Sequence, residues 1–365
     1  MTKRVLLSGA GGFAGSHALR HILATTDWDV VCPVTFKHKG LADRIRLAMD
    51  DMPEAAERVR VVRCDLAAPI SHQTDYVFDH IDYVINFASE SHVDRSIAQP
   101  GPFIRNNVAL LTHLLDWAAS RSPEIQAIIQ ISTDEVYGPA PVGYNHREWV
   151  DQHLPSNPYS ASKAAMEDIA FAYWRTYDLP IVITNTMNLL GETQDSEKFV
   201  PMTIKRVLNG ETMTIHSGKD GTPGSRFYLH ARNQADGVLH VLRHLTQAKT
   251  IEIGSTSRLS WDHVNNEETG ESLLYGDGGT KPFRFHIVGE REVDNLTMAQ
   301  MIAEAVGKPL KYNLVDFHSS RPGHDLRYGL DGSKMALIGW KPPIPLDESL
   351  QRMVQWTLDH PEWLR

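Results

Sequence analysis

The segment RVLLSGAGGFAGSHALRHIL (Arg4–Leu23) passes from an unbroken apolar run, through a glycine turn, into a helix-like pattern. A short apolar run closed by glycine predicts a strand buried on both faces. The turn reads Gly9-x-x-Gly12-x-x-Gly15. Between a strand and a helix, such a turn lets backbone N–H groups approach a pyrophosphate at the helix N-terminus, where side chains would block it. Gly9, Gly12, Phe13, Ala14 and Gly15 are therefore candidate contacts to a dinucleotide.

Working outward, the alternation continues. DVVCPVTF, RVRVVRC (Arg58–Cys64), DYVINFAS (Asp82–Ser89), AIIQIS and IVITNT (Ile181–Thr186) read as further strands. Helical stretches are expected near Phe103–Ser120 and Pro158–Tyr177. Strands alternating with helices predict an α/β fold, a Rossmann-type doubly wound parallel sheet covered on both faces. After about Asn188 the pattern turns irregular. Short strands (TMTIH, FRFHIV) mix with helices near 200–208, 234–245, 298–306 and 347–359. The expected division is a dinucleotide-binding domain over 1–187 and, over 188–365, a smaller C-terminal α/β substrate lobe with some return to the sheet. Residues 254–281 are rich in Gly, Ser, Thr, Asn and Glu, and read as a surface loop or insertion.

The chain has 365 residues, long enough to bury a full core without disulfides or metals. Its net charge of −9, with no long basic run, argues against nucleic acid and anionic membranes as partners. No stretch reaches the roughly 18 apolar residues of a membrane span, and the N-terminus lacks a signal-peptide layout. The two cysteines, Cys32 and Cys64, lie in apolar strand-like runs, which suggests a reduced, cytoplasmic setting. The histidines fall in no metal-binding spacing, so no metal site is expected.

At the end of the second strand, where a dinucleotide site usually has an acid for the adenosine ribose, the chain has Val34 and Thr35. Lys37, His38 and Lys39 follow; they could receive a 2′-phosphate or simply form a solvated loop. NAD and NADP are both open. Asp65, after the third strand, is a candidate for the adenine amino group or a turn cap.

NPYSASK places Tyr159 and Lys163 four residues apart, on one helix face, with Asn157 and Pro158 suited to its start. An ammonium near a phenol favours phenolate, which could take a proton from a sugar or alcohol hydroxyl. STDEVYG (Ser132–Gly138) adds a hydroxyl, Thr133, and two adjacent carboxylates, Asp134 and Glu135, at the end of a core strand. Buried carboxylates are costly unless paired, hydrogen-bonded or protonated; a bland reading is a turn cap.

Taken together, the glycine turn, SASK after Tyr159 and the Thr133 hydroxyl resemble the extended short-chain dehydrogenase/reductases. ASESHVDRSI (Ala88–Ile97), STDEVYG, NPYSASKAAME and RPGHDLRYGLD (Arg321–Asp331) resemble the dTDP-glucose 4,6-dehydratase family, over nearly the whole chain. That resemblance implies a hydro-lyase with tightly bound NAD regenerated in each cycle. It implies that Tyr159 removes the O4 proton as C4 is oxidised, with Thr133 assisting and Lys163 on the nicotinamide ribose. Glu135 takes the C5 proton and Asp134 protonates the departing C6 hydroxyl. It adds Leu66, Ala88, Ser89 and Asn107 to the cofactor contacts. It places Ser91, His92, Asn188, Lys198, Arg226, Arg321 and His324 around a nucleotide-diphosphate hexose, and implies a homodimer through the two long helices.

The chain departs from the family pattern at the missing second-strand acid, at Leu190 in place of tyrosine, and at His230 in RFYLHARNQ. These departures leave the nucleotide base open. The competing readings are an epimerase or dehydratase acting on a UDP-, CDP- or GDP-sugar, and a non-catalytic nucleotide-binding protein. The Asp134–Glu135 pair argues against a simple 4-epimerase, which needs no acid at C6.

Overall fold

The computed structural model of the chain describes residues 2–37, 39–247, 250–253, 256–259, 281–317 and 325–365. Strands β1 (Arg4–Ser8), β2 (Asp29–Val34), β3 (Val59–Arg63), β4 (Tyr83–Asn86), β5 (Ala127–Thr133) and β6 (Ile181–Thr186) form a parallel sheet. Their order is 3-2-1-4-5-6, and a seventh strand, Phe283–Ile287, adds parallel to β6. Parallel strands buried on both faces need helical cover on each side.

That cover comes from two sets of helices. Helices α1 (Phe13–Thr25) and α2 (Ala42–Met49) lie on one face, where Leu19 and Ile22 join the strand core. On the other face, α3 (His72–Phe78) is followed by the short α4 (Val93–Ala98), α5 (Pro100–Ser120) and α6 (Pro158–Tyr177), with Leu111, Leu114 and Met166 buried beneath them. After the short strand β7 (Asn188–Leu190) come α7 (Phe199–Asn209), β8 (Thr212–Ser217) and β9 (Ser225–His230). Strand β9 joins β7 and Glu292–Asp294 in a three-stranded sheet. Over it, α7, α9 (Asn295–Val306) and helix Leu346–Asp359 enclose a separate core containing Ile204, Met298, Ile302 and Met353.

Two pieces of the second half return to the main sheet. Helix α8 (Ala231–Gln247) buries Val238, Leu239 and Leu242 beside α1. FRFHIV, read from the sequence as part of the irregular half, supplies the seventh strand of the main sheet. The expected short strand is thus the expected return to the sheet; Arg284 and His286 lie in it buried, each with a buried partner. Within 254–281, Thr256–Leu259 pairs antiparallel with Thr250–Ile253, so this part is a hairpin strand rather than loop; residues 254–255 and 260–280 lie outside the described set. Among the described residues no helix is long and apolar enough to cross a membrane.

Candidate active site

The carboxyl ends of β1, β4, β5 and β6 share one edge of the sheet, where open α/β folds bind ligands. At the first of them, Gly9 has φ +74° and Gly12 N donates to Gly9 O at 2.8 Å. A Cβ on Gly15 would stand 2.1 Å from that same oxygen, and one on Gly9 only 2.8 Å from Ala88 N. The glycines therefore let α1 start against the strand end. Gly12 caps α1 with no side-chain acceptor, so the first N–H groups, at Phe13 and Ala14, lack a side-chain partner. Ser8 Oγ hydrogen-bonds Asn86 and accepts from Ala88 N at 3.2 Å, bringing Ala88 and Ser89 across from the turn. This cradle fits a dinucleotide pyrophosphate.

At the adenosine end, Thr35 Oγ1 accepts from Lys37 N at 3.2 Å. The Lys37 ammonium is paired with Asp65, which also accepts from Ala67 N at 3.1 Å. The Lys37 hydrogen bond holds the Asp65 carboxyl below the usual range. Asp65 thus acts as a turn cap, and Lys37 has an acidic partner. Lys39 lies 3.5 Å from Asp195 and 3.4 Å from Glu197; His38 is outside the described residues. The Leu66 side chain is buried in the core, and its carbonyl lies 3.3 Å from His113 Nδ1. Asn107, expected at the cofactor, has no exposed surface. It accepts from Glu90 N at 2.8 Å and donates to Ser162 Oγ at 2.9 Å, so it fastens the loop after β4 to α6.

The adjacent carboxylates sit on a 3₁₀ turn, Asp134–Tyr137, directly after β5. Thr133 caps this turn, accepting from Glu135 N at 3.4 Å, and its hydroxyl donates to Asp134 Oδ1 at 2.9 Å. Asp134 Oδ2 is buried with no hydrogen-bond partner. Burial, then the Glu135 charge, pushes Asp134 up to about 7. Glu135 is half-buried and also raised by burial, but it accepts from Asn157 Nδ2 at 3.2 Å and feels the charges of Arg226 and Lys198. Two neighbouring acids thus have different environments.

Asn157 also closes a capping box with Ser160 at the start of α6, with Pro158 in the first turn. Tyr159 is 8% exposed, hydrogen-bonded to Thr133, and raised above its ordinary range by burial and by Glu135. Lys163 donates to Ile131 O at 2.7 Å, and burial lowers it to about 8. This corrects the expectation that Lys163 depresses the Tyr159 pKa: the ammonium is turned to the β5 backbone, while the phenol faces the acid pair.

Of the expected substrate residues, Arg226 and Lys198 lie near enough to Glu135 for their charges to act on it. Arg226 stacks over Tyr328, 4.4 Å from its ring centre, and donates to the Asp325 and Leu326 carbonyls, both at 2.6 Å. Its guanidinium is thereby fastened to the 325–328 segment. Tyr328 is buried and feels the Glu135 charge. Lys198 precedes α7 without a side-chain cap, and His92 caps α4 while its Nε2 lies 3.2 Å from Glu197. Ser91 and Asn188 are exposed. Arg321 and His324 lie outside the described residues. Sequence reasoning missed Asn157 as the partner of Glu135: its helix-capping signal was visible, but its reach across to the acid was not.

Three metal-type donors do meet elsewhere: His17, Glu192 and His230. Arg232 N donates to His230 Nδ1 at 3.0 Å, which leaves the proton of the neutral ring on Nε2, 3.1 Å from Glu192. His17 Nε2 lies 2.9 Å from the Glu192 carbonyl, and Arg232 holds the carboxylate at 2.7 Å. Metal-ligating histidines donate through the second nitrogen, a pattern that His230 reverses, although His17 Nδ1 is buried without a hydrogen-bond partner. The trio is a hydrogen-bonded cluster beneath the glycine helix.

Residues 5–254 match the model described as the NAD dependent epimerase/dehydratase family. The low-salt glycan biosynthesis protein Agl12 of Haloferax volcanii is 32% identical, covering 98% of this chain and 99% of its own. The dTDP-glucose 4,6-dehydratase of Neisseria gonorrhoeae is 32% identical over 98% of this chain and 96% of its own. DesIV, a dTDP-glucose 4,6-dehydratase from Streptomyces venezuelae solved with NAD bound, superposes with a TM-score of 0.78 at 29% identity, covering 99% of this chain and 98% of that one.

Proposed function

The chain belongs to the NAD dependent epimerase/dehydratase family, and we propose that within it the protein is a nucleotide-sugar 4,6-dehydratase converting dTDP-glucose to dTDP-4-keto-6-deoxyglucose. The observation that carries this is the Asp134–Glu135 pair: two adjacent acids, one pushed up to about 7 by burial, beside the Tyr159 hydroxyl. Water elimination across C5 and C6 needs one base and one acid at the same time.

NAD, when bound, supplies the chemistry of accepting hydride from C4 and returning it to C6. The turn of Gly9, Gly12 and Gly15, with Phe13 and Ala14, holds its pyrophosphate; Ala88 and Ser89 line the groove; Thr35 and Asp65 bound the adenosine end; Lys163 holds the nicotinamide ribose. Tyr159 takes the O4 proton, guided by Thr133, where the positive nicotinamide ring, when bound, would offset the burial that otherwise keeps the phenol protonated. The resulting 4-ketone acidifies C5, where Glu135 takes the proton and gives it back to C5 once C6 is reduced. Asp134, still protonated near neutrality, donates to the C6 hydroxyl, which leaves as water. Arg226, Lys198, Asn188, Ser91 and His92 place the nucleotide diphosphate and hexose. NAD is favoured over NADP because the Lys37 ammonium is already paired with Asp65, and Lys39 with Asp195 and Glu197.

A homodimer through α5 and α6 belongs to this reading; α6 carries half-buried Phe171 and Tyr173 and an exposed Tyr177. So does a reduced, cytoplasmic setting, in keeping with unpaired Cys32 and Cys64. The test is a mass-spectrometric screen against dTDP-, UDP-, CDP- and GDP-hexoses. Loss of one water from dTDP-glucose alone is the expected result. Loss only from another nucleotide hexose reassigns the base, and loss from none overturns the dehydratase reading.

A further inference from the structure

Glu167 lies one turn beyond Lys163 on α6, and its side chain has no exposed surface. It is ion-paired with Arg284 of the seventh strand. A buried pair is weak evidence for stability by itself, because both charges lose their hydration. What it is tied to says more. Glu167 accepts from Asn185 Nδ2 at 2.7 Å, and the same amide donates to the Thr133 carbonyl at 3.1 Å. Arg284 donates to the Tyr137 hydroxyl at 3.1 Å, and Tyr137 ends the turn that carries Asp134 and Glu135. His153, from the loop before α6, reaches Glu167 at 3.1 Å.

One carboxylate therefore joins β5, β6, the acid-bearing turn and the helix of Tyr159 and Lys163. It also opposes the effect of burial on Lys163, which is lowered to about 8 by burial and raised by Glu167. Burial would raise Glu167 itself, but Arg284 and His153 hold it near 2. Burial would lower His153, but hydrogen bonds to Asp168 and Glu167 bring it to about 9. Glu148 and Tyr137 bear on Arg284, and Lys334 donates to its carbonyl. From α5 the side chain bonded to α6 in this region is the neutral Asn107. Beyond Tyr159 stand Asp134 and Glu135.

We propose that Glu167 is a positioning residue for the reaction: it fixes Lys163 and the Thr133–Tyr137 turn against each other and gives the Lys163 ammonium its buried counter-charge. This rests on the reading of Lys163 as part of a dehydratase site. The test titrates Lys163 by NMR in lysine-labelled protein, with Lys163→Met assigning the signal, and measures kcat and KM for water loss alongside. Glu167→Gln lowers the Lys163 midpoint by about one unit and Glu167→Asp restores most of it. Arg284→Gln keeps the carboxylate, so the midpoint does not fall, yet kcat drops roughly tenfold with KM within about twofold. An unmoved midpoint in Glu167→Gln, or an unchanged kcat in Arg284→Gln, overturns the proposal. Should Glu167→Gln fail to fold, the two readings on Arg284→Gln decide. If the parent protein releases water from no nucleotide hexose, the functional reading fails, while the titration still reports on the counter-charge.

Discussion

Asp134 Oδ2 is a buried oxygen without a hydrogen-bond partner, so in the proposed reaction a substrate hydroxyl would be its first. An acid in that position is stable neutral and strained when charged. Its folded pKa lies above the ordinary 3.8, at about 7. The stability it contributes is therefore complete below pH 3.8 and is lost as pH rises through 7, by up to about 4 kcal/mol. Asp134→Asn is expected to match the melting temperature of the parent at acid pH and to exceed it above pH 7. The same variant keeps C4 oxidation but loses water elimination by about 100-fold or more, read as ketone without dehydration. Adjacency of the two acids was visible in STDEVYG. Which of them is sealed from water and which takes an amide from Asn157 depends on residues beyond that stretch.

Helix α6 shows how an element carries chemistry through its ends. Asn157 serves both the capping box and Glu135. Asn157→Ser preserves the cap but cannot span to Glu135, so stability stays within about 0.5 kcal/mol while kcat falls. Asn157→Ala loses the cap as well, at a cost of about 1 kcal/mol in chemical denaturation. Equal stability loss in both variants would refute this division of roles. Between β2 and β3, Asp65 neutralises Lys37. Asp65→Asn frees that ammonium, and NADP should then support turnover better relative to NAD, measured as the ratio of kcat/KM values for the two cofactors. Element boundaries were legible where caps and glycines punctuate the chain, as at Gly9–Gly15 and Asn157–Pro158. The strand FRFHIV was legible too, but its place beside β6 was not, because Arg284 and His286 break its apolar run and their partners, Glu167 and Tyr137, come from far along the chain.

At the scale of the whole molecule, the second half of the chain both completes the parallel sheet, through Phe283–Ile287 and α8, and builds the lobe opposite it. On the other face α6 exposes Ala172. If the dimer forms there, Ala172→Glu places a charge in the helix packing, and light scattering should show a dimeric parent and a monomeric variant; a monomeric parent would remove the dimer from the reading. The sequence alone determined the α/β class, the glycine cradle and the presence of Thr133, Asp134, Glu135, Tyr159 and Lys163, because each is written in residues that are neighbours along a strand end or a helix turn. Tertiary structure alone decided that Lys163 faces the Ile131 carbonyl, that Asn107 is enclosed, that Arg226 is held by residues about 100 positions away, and that Glu167 meets Arg284 across 117. Such contacts depend on which strands lie side by side, and burial and charge pairing act between neighbours in space, whatever their distance along the chain.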